Sequence, residues 1–356
     1  MKNNILVINP GSTSTKIAVY STETNDGILE TIRHNSNELE HYDQLIDQLQ
    51  YRKQMIEGFL ASNNIEGSSL QAVVGRGGFL RPIEAGTYEV NEKMLDDLRN
   101  ERFGTHASNL GALLSNEFAK EQNVKAFIVD PVVVDELDDI ARLSGLKGIE
   151  RRSIGHPLNQ KMVARKVTKS KNMKYEESRL IVVHLGGGIS VGAHKNGRIV
   201  DMANGLDGEG SYSPERSGSL PLINFAEKII NEKLEITEIK KLVAGKGGLY
   251  SYLQDKDIVA IEERINNDDQ EAKLYLDGMC YQVAKSIGEQ ATVLKGQVDF
   301  IILTGGISYS EYVTGKITEA TDWIADIKIV PGEMEMEGLF EGAKRVLDDV
   351  ESAKIY

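Results

Sequence analysis

The chain has 356 residues, of which 40% are hydrophobic and 27% are charged, and its formal net charge is −13. The length allows two domains of ordinary size, and the acidic balance argues against nucleic acid or an anionic membrane as a partner. No apolar stretch approaches the roughly 20 residues of a membrane span, and the first residues lack the layout of a signal peptide. The single cysteine, Cys280, excludes an internal disulfide. We therefore expect a cytoplasmic protein, in which an anionic substrate needs a local cationic pocket.

The chain opens with a strand, a small turn and a second strand. Apolar residues 5–8 lead into Asn9-Pro10-Gly11-Ser12-Thr13-Ser14, and residues 17–20 resume as a strand. A turn of this composition offers backbone N–H groups and hydroxyls to an anion, although a plain β-turn has the same composition. The side chains that we expect to reach a bound phosphate are those of Asn9, Ser12, Ser14 and Lys16.

Further strand and helix patterns follow in the first half of the chain. Residues 38–63 have the spacing of an amphipathic helix. A strand is predicted over 72–74, and it is followed by Arg76, which has glycines on both sides. A helix is predicted over 109–120 and a strand over 126–129, which ends at Asp130. An arginine in such a turn can bind an anion bidentately, and a carboxylate at a strand end can face a magnesium ion. Surface or turn roles remain the alternatives for both side chains.

The second half begins after the glycine-rich stretch 143–148, which is the predicted domain junction. A helix is predicted over 160–169. The strand 180–185 then runs into three glycines, and a strand resumes at residue 189. A long helix is predicted over 272–294 and a last one over 338–353. The polar and glycine residues of this half that we select as candidates are His156, His184, Gly186, Gly187, Gly188, Arg216, Gly305 and Gly306.

Two strand–turn–strand units, each with a turn whose composition suits an anion, suggest related hairpins that face one phosphate chain. Phosphoryl transfer requires in-line positioning, a divalent metal on the phosphate oxygens and cations on the transferring group. The alternation of strands and helices predicts an α/β protein with mostly parallel or mixed sheets. The pattern therefore predicts an ATP-dependent phosphotransferase.

At these motifs the chain resembles the acetate and butyrate kinase family of the actin-like ATPase superfamily. The resemblance covers nearly the whole chain and keeps the motif order. It implies two actin-like (ribonuclease H-like) domains, each with a mixed sheet flanked by helices, and a nucleotide cleft between them. We expect domains at 1–148 and 149–337, with a helix at about 338–356 that packs back on the first domain.

The resemblance also implies roles for the matching residues. Arg76, Arg216, His156 and Asp130 would be catalytic, with Arg81 as a rival to Arg76 because the first arginine motif differs in length. ATP or ADP would be the co-substrate. The residues implied for nucleotide binding are Asn9, Ser12, Ser14, Lys16, His184, Gly186, Gly187, Gly188, Gly305 and Gly306.

A magnesium ion and self-association are implied as well. Asp130, Asn9 and a glutamate near the C-terminus would hold Mg²⁺, directly or through water. That glutamate aligns best with Glu337, and Glu335 is the alternative. The family resemblance also implies a homo-oligomer of two or more copies.

The departures from the acetate kinase pattern favour the butyrate kinase branch. Gly155-His156-Pro157-Leu158-Asn159-Gln160 stands where acetate kinases carry Phe-His-Gly-Thr-Ser-His, and three glycines replace an asparagine-containing phosphate turn. The implied reaction is reversible, direct in-line transfer from ATP to butyrate or a related short or branched acid. Acetate or propionate kinase activity is the alternative, since two methylenes contribute only about 1.6 kcal/mol. A non-catalytic nucleotide-sensing regulator is a remote alternative, which the acidic balance disfavours where DNA is the partner.

Overall fold

The computed structural model describes residues 2–39 and 41–356 and divides into two compact units. Unit 1 comprises Met1–Val134 and Met334–Tyr356, and unit 2 comprises Asp135–Glu333. The first division precedes the predicted junction after residue 148 because the connecting segment bonds to unit 2. Within that segment Asp138 N–H donates to the Val200 carbonyl, and the Glu136 carboxylate accepts from Ile199 N–H.

Unit 1 is built on a seven-stranded mixed sheet. Its strands are β1 (Asn4–Pro10), β2 (Ser14–Ser21), β3 (Gly27–Arg33), β4 (Leu70–Arg76), β5 (Thr87–Glu89), β6 (Lys125–Val129) and β12 (Lys354–Ile355). Its helices are α1 (Ser36–Leu39), α2 (Leu49–Ser62), α3 (Glu92–Arg99), α4 (Asn109–Gln122) and α12 (Glu335–Leu347). The sheet order is β12-β5-β6-β4-β1-β2-β3. Apolar residues of β1, β4, α2 and α4 fill its main core.

Unit 2 is built on a five-stranded mixed sheet in the order β11-β10-β7-β8-β9. Its strands are β7 (Arg179–Leu185), β8 (Ile189–Lys195), β9 (Arg198–Met202), β10 (Phe300–Gly305) and β11 (Ile327–Pro331). Its helices are α5 (Pro157–Ser170), α6 (Leu222–Glu232), α7 (Ile236–Val243), α8 (Gly248–Leu253), α9 (Ile258–Asn266), α10 (Gln270–Val293) and α11 (Glu311–Thr321). The buried face of the long helix α10 packs on the sheet.

The two sheets share one topology at their centres. In unit 1, β1, β2 and β3 form an antiparallel meander, and β4 and β6 continue it in parallel with β1. In unit 2, β7, β8 and β9 form the same meander, and β10 and β11 continue it in parallel with β7. The two predicted strand–turn–strand motifs are therefore equivalent hairpins, β1–β2 and β7–β8, in two related sheets.

Two predicted helices differ from the structure. The pattern over 38–63 is divided into α1, a 3₁₀ turn over Leu45–Gln48 and α2, because Asp47 accepts from the Gln44 N–H and starts a new turn there. Within that predicted helix, Glu40 lies outside the described residues. The last helix ends at Leu347 rather than at residue 353, since Lys354 and Ile355 pair with β5. Over residues 2–39 and 41–356, no helix combines the length and apolar composition of a membrane span.

Candidate active site

Three neighbouring strands of unit 1 end in predicted site residues. Asn9 lies near the end of β1, Arg76 is the last residue of β4, and Asp130 follows β6. The strands are parallel neighbours, so their carboxyl ends lie along one edge of the sheet, where α/β proteins bind ligands. Asn9 and Asp130 are buried.

Glu335, the first residue of α12, joins two of these side chains. Asn9 Nδ2 donates to Glu335 Oε2 at 2.9 Å, and Arg76 forms an ion pair with the same oxygen. Glu335 is buried, whereas Glu337 is only half-buried. Two positions along a helix turn the side chain to a different face. Burial, together with the charge of Glu337, raises the pKa of Tyr20 to about 12. The structure therefore favours Glu335 over Glu337 as the glutamate beside Asn9.

The rival arginine is engaged elsewhere in unit 1. The Arg81 guanidinium lies over the Tyr356 ring at 4.6 Å, and the Arg81 N–H donates to the Tyr356 hydroxyl at 3.4 Å. Arg76, in contrast, shares Glu335 with Asn9. The structure thus favours Arg76 over Arg81 for the first arginine position.

Asp130 adopts a backbone conformation that is uncommon outside glycine, with φ of 39°. Its Oδ1 accepts from the Gly86 N–H at 2.7 Å, and its own N–H donates to the Gly86 carbonyl at 3.1 Å. Such a conformation costs on the order of 1–3 kcal/mol and persists where surrounding bonds impose it. The chain therefore holds this carboxylate at a fixed place on the sheet edge.

The first turn is closed by a hydrogen bond from the Gly11 N–H to the Ser14 carbonyl at 2.7 Å. Ser12 is exposed, Ser14 is half-buried, and Lys16 pairs with Asn9 across the hairpin. Ser12 is therefore accessible to a ligand, and Lys16 lies opposite Asn9 in the β1–β2 pair.

A residue that the sequence did not reveal supports this turn from behind. Arg52 on α2 is fully buried, and its Nη1 donates to the Gly11 carbonyl and to Thr15 Oγ1, each at 2.9 Å. Its Nε and Nη2 bond to Gln48 Oε1. Burial lowers the pKa of Arg52 to about 10, which leaves the guanidinium charged at neutral pH. The α2 helix therefore places a positive charge beneath the predicted phosphate turn.

In unit 2, the second predicted arginine, Arg216, packs against the glycine turn that follows β7. The Ser213 hydroxyl donates to the Gly187 carbonyl at 2.6 Å and accepts from the Arg216 N–H at 3.1 Å. The guanidinium of Arg216 fills the space that a Cβ on Gly188 would occupy. Burial lowers the pKa of Arg216 and the neighbouring Glu215 partly offsets this, so a desolvated cation lies against the turn.

The two histidines stack beside the same turn. The rings of His156 and His184 lie 3.8 Å apart with an angle of 9° between their planes. Asn159 Nδ2 donates to His184 Nδ1 at 2.9 Å, and His156 Nδ1 lies 2.9 Å from Ser190 Oγ. His156 precedes α5, whose positive N-terminal end favours an anion there.

The third glycine turn borders a cavity. Gly305 has φ of 94°, and a Cβ on it would overlap the Leu185 backbone, so only glycine fits between β10 and β7. Gly306 and Gly187 line a cavity of about 530 Å³. A second cavity of about 570 Å³, lined by Leu143 and Lys285 among others, contains none of the predicted residues.

The described residues contain no cluster of three or more His, Cys, Asp or Glu side chains that could hold a metal ion. Magnesium typically takes one or two carboxylates and completes its shell with phosphate oxygens and water. Asp130 and Glu335 are both carboxylates on elements that meet the unit 1 sheet edge, and this donor set fits a phosphate-bound magnesium ion.

Comparisons with known proteins agree with this architecture. The model of the acetokinase family matches residues 142–322. A probable butyrate kinase of Enterococcus faecalis is 58% identical over 353 residues, which cover 99% of this chain and 97% of the relative. The chain belongs to the acetokinase family.

Two solved kinase structures share the fold. The acetate kinase of Porphyromonas gingivalis has a TM-score of 0.78 and 17% identity, and the match covers 96% of this chain and 99% of that one. The propionate kinase of Francisella tularensis has a TM-score of 0.72 and 17% identity, with 95% and 98% covered. The predicted family, the actin-like α/β fold and the enzyme class, a phosphotransferase with a carboxylate acceptor and ATP or ADP as co-substrate, are therefore confirmed.

The roles of individual residues stay predictions for this acetokinase family member. Within unit 1 the structure brings Asn9, Arg76 and Glu335 together, and within unit 2 it brings His156, His184 and Arg216 to the glycine turn. The sequence did not identify the side chains that support these groups. Those residues are Arg52, Asn159, Gln160, Ser190 and His194.

Proposed function

We propose that the protein transfers a phosphoryl group from ATP to butyrate or a related short or branched acid, reversibly and without a phosphoenzyme. The choice of butyrate is supported by the 58% identity, over nearly the full length, to a probable butyrate kinase. The motif departures at residues 155–160 and 186–188 support the same branch.

The main support for phosphoryl transfer at this site is the packing of the Arg216 guanidinium against Gly188. A half-buried guanidinium beside bare backbone N–H groups is suited to the charge that develops on the equatorial oxygens of a transferring phosphoryl group. The stacked imidazole of His156 lies next to His184, whose Nε2 edge lies against Gly186. We assign Arg216 and His156 to the transferring group, and Gly186, Gly187 and Gly188 to the nucleotide phosphates.

Residues of unit 1 serve the same reaction in this proposal. Arg76 would bind the acid, since a guanidinium has five donors and the ion pair with Glu335 uses only part of them. Asp130 and Glu335 would hold magnesium, directly or through water, with Asn9 oriented by Glu335. The metal supplies charge neutralisation on the phosphate oxygens when it is bound. The hydroxyls of Ser12 and Ser14, and Lys16, would contact phosphates.

The cavity beside Gly187 and Gly306 is the proposed adenosine site. It is lined on one side by the start of α9 and on the other by the turn after β10. Apolar side chains, Ile258 and Ile307, give it surfaces on which a base can pack, and Lys256 pairs with Glu215 at its edge. Gly305 and Gly306 would flank the adenosine.

The test is acyl phosphate formation by matched arginine variants. Arg216→Ala should lower kcat roughly 10²- to 10⁴-fold with a smaller change in the Kd for ATP, because the charge acts mainly in the transition state. Arg152→Ala is the control, since Arg152 is exposed and forms an ion pair with the exposed Asp207. A kcat of Arg216→Ala within a few-fold of that of Arg152→Ala would remove Arg216 from the proposed role.

We also propose a homo-oligomeric, cytoplasmic enzyme. Self-association is supported by α6, on which Leu222, Ile223 and Ile230 are more than two-thirds exposed. A reducing compartment is compatible with Cys280, a buried free thiol whose pKa burial raises to about 12. Sedimentation velocity of Ile223→Glu and Ile230→Glu tests the first point: the variants should dissociate if α6 forms the contact. An unchanged sedimentation coefficient would exclude α6 from it.

A further inference from the structure

A chain of buried polar side chains in unit 2 leads away from His156. It starts at Ser190, whose Oγ lies 2.9 Å from Nδ1 of His156. It continues through Gln160 and His194 to the hydroxyl of Tyr175. Ser190 and Tyr175 are at most 3% exposed, and Gln160 and His194 are fully buried. Buried polar groups of this kind must satisfy one another, so the direction of each hydrogen bond is constrained.

A backbone carbonyl fixes the orientation of the Gln160 side-chain amide. Gln160 Nε2 lies 3.1 Å from the Ser190 carbonyl oxygen and 2.8 Å from Ser190 Oγ. Because a carbonyl can only accept, the amide nitrogen of Gln160 must face Ser190, and its Oε1 faces His194 Nε2 at 2.9 Å. His194 Nε2 therefore carries a hydrogen, and His194 Nδ1 accepts from the Tyr175 hydroxyl at 2.8 Å. Burial, with a smaller effect of Lys161, lowers the pKa of His194 well below its usual value, consistent with a neutral ring.

The direction of the hydrogen bond between Ser190 and His156 is constrained in the same way. Since Ser190 Oγ accepts from Gln160, its own hydrogen is available for Nδ1 of His156. A ring nitrogen that accepts a hydrogen bond carries no hydrogen, so a neutral His156 has its hydrogen on Nε2. The parallel stack on His184 fixes the plane of the ring.

We infer that Ser190 and Gln160 are positioning residues that hold His156 as the Nε2–H tautomer, so that this N–H can donate to the transferring phosphoryl group. The tautomer assignment follows from the hydrogen bonds alone, and its catalytic meaning rests on the proposed role of His156. Neither Ser190 nor Gln160 is proposed to touch the reacting atoms. They act through the imidazole.

The direct test is the tautomer of His156 in the whole protein. Long-range ¹H–¹⁵N spectra of ¹⁵N-histidine-labelled protein at neutral pH distinguish the two ring nitrogens, and His156→Asn identifies the His156 signals. The wild type should show a single Nε2–H form. A wild type with the hydrogen on Nδ1, or with both forms populated, would overturn the inference without any further variant.

Ser190→Ala removes the donor to Nδ1 with little change in volume. We expect both tautomers in its spectrum, a kcat lowered roughly 3- to 10-fold, as for the loss of one hydrogen bond, and KM values within about twofold of wild type. Thr168→Val is the control, because Thr168 is a buried hydroxyl on α5, the helix that carries Gln160, and it donates to the Ala164 and Arg165 carbonyls of that helix. It should keep both the single tautomer and the wild-type kcat. Wild-type kcat and a single tautomer in Ser190→Ala would overturn the inference.

A double-mutant cycle separates positioning from general destabilisation. If Ser190 acts through His156, adding Ser190→Ala to His156→Asn should leave kcat unchanged. An equal further loss in that background would overturn the positioning role. If His156→Asn has the kcat of the wild type, His156 has no part in the proposed reaction, and Ser190 and Gln160 then have no catalytic role through it. The tautomer assignment would still hold if the wild-type spectrum shows the Nε2–H form.

Discussion

The guanidinium of Arg216 lies where a side chain on Gly188 would begin. The turn after β7 therefore needs glycine at this position for the arginine, and Gly188 is not among the residues with positive φ. The end of a long, flexible side chain can move aside, so a methyl group here should displace the guanidinium rather than the backbone.

Gly188→Ala should consequently reproduce much of the effect of Arg216→Ala. We expect kcat to fall roughly 10²-fold or more, since removal of a transition-state donor costs that much. The melting temperature should stay within a few degrees of wild type. Gly315→Ala on α11, where nothing lies within 4 Å of the added Cβ, serves as the control in both measurements. If Gly188→Ala keeps wild-type kcat, the position of Arg216 against the turn is not needed for transfer.

The two candidate glutamates of α12 can be separated by one pair of variants. Glu335 bonds to Asn9 and Arg76, whereas Glu337 lies near Tyr20. Glu335→Gln should lower kcat roughly 10²-fold and raise the magnesium concentration needed for half-maximal rate, because one carboxylate near the phosphates is lost. Glu337→Gln should stay within a few-fold of wild type. The opposite ranking in kinetics against magnesium concentration would restore the alignment-based choice of Glu337.

Arg52 links α2 to the first turn, and its removal should affect both stability and nucleotide binding. Arg52→Met leaves the Gly11 carbonyl, Thr15 Oγ1 and Gln48 without their donor. We expect the free energy of unfolding to fall by roughly 2–4 kcal/mol, because a buried acceptor that loses its partner costs about 1–3 kcal/mol, and Thr15 is buried whereas Gly11 and Gln48 are half-buried. The KM for MgATP should rise because the turn loses its support. Arg99→Met, which removes an exposed ion pair with Glu92, should cost less than about 1 kcal/mol when both variants are unfolded in urea.

His34 should make the fold sensitive to mild acid. It is buried, its Nε2 bonds to Thr15 Oγ1, and its Nδ1 has no hydrogen-bond partner among residues 2–39 and 41–356. Burial, and then the charge of Arg52, lower its pKa to about 4. Above pH 6.5 the ring is neutral in both the folded and the unfolded state and contributes no pH dependence. Below pH 6.5 the unfolded state binds a proton that the folded state does not, so stability falls down to about pH 4.

The expected loss over that window is on the order of 3 kcal/mol. His34→Gln keeps an acceptor for Thr15 and has no group that titrates there. Unfolding free energies of the two proteins, measured in denaturant at several pH values, should therefore diverge as the pH falls from 6.5 to 4. Parallel curves would show that His34 is protonated as readily in the folded protein as in the unfolded chain.

Local patterns were sufficient for the hairpins and the strand ends. A β-branched run that enters glycine, serine and threonine has few local alternatives, so β1–β2 and β7–β8 were predicted within a few residues. Asp130 and Arg76 followed from the same rule, because each comes at the end of a buried strand.

Tertiary contacts decided the remaining assignments. Glu335 and Glu337 are indistinguishable by spacing, and only the rotation of α12 about its axis selects the one that meets Asn9. Arg52 is one of many charged residues in the amphipathic pattern over 38–63, and its burial comes with hydrogen bonds to the carbonyls of Gly11 and Ser14, in a distant turn. His194 lies between a glycine–alanine pair and a lysine, a setting that gives no local sign of a role, yet its ring is fully buried between Gln160 and Tyr175. Such partners are distant in sequence and leave no local signal.

The most direct test of the proposed function is the initial rate of acyl phosphate formation, trapped as the hydroxamate, with MgATP and acetate, propionate, butyrate, isobutyrate or valerate. We expect the highest kcat/KM with a four-carbon acid and a preference over acetate of roughly 15-fold, the contribution of two buried methylenes. A maximum at acetate would contradict the butyrate assignment while keeping the family and its chemistry. No acyl phosphate with any of the acids, from folded protein that binds ATP, would contradict the proposed reaction itself.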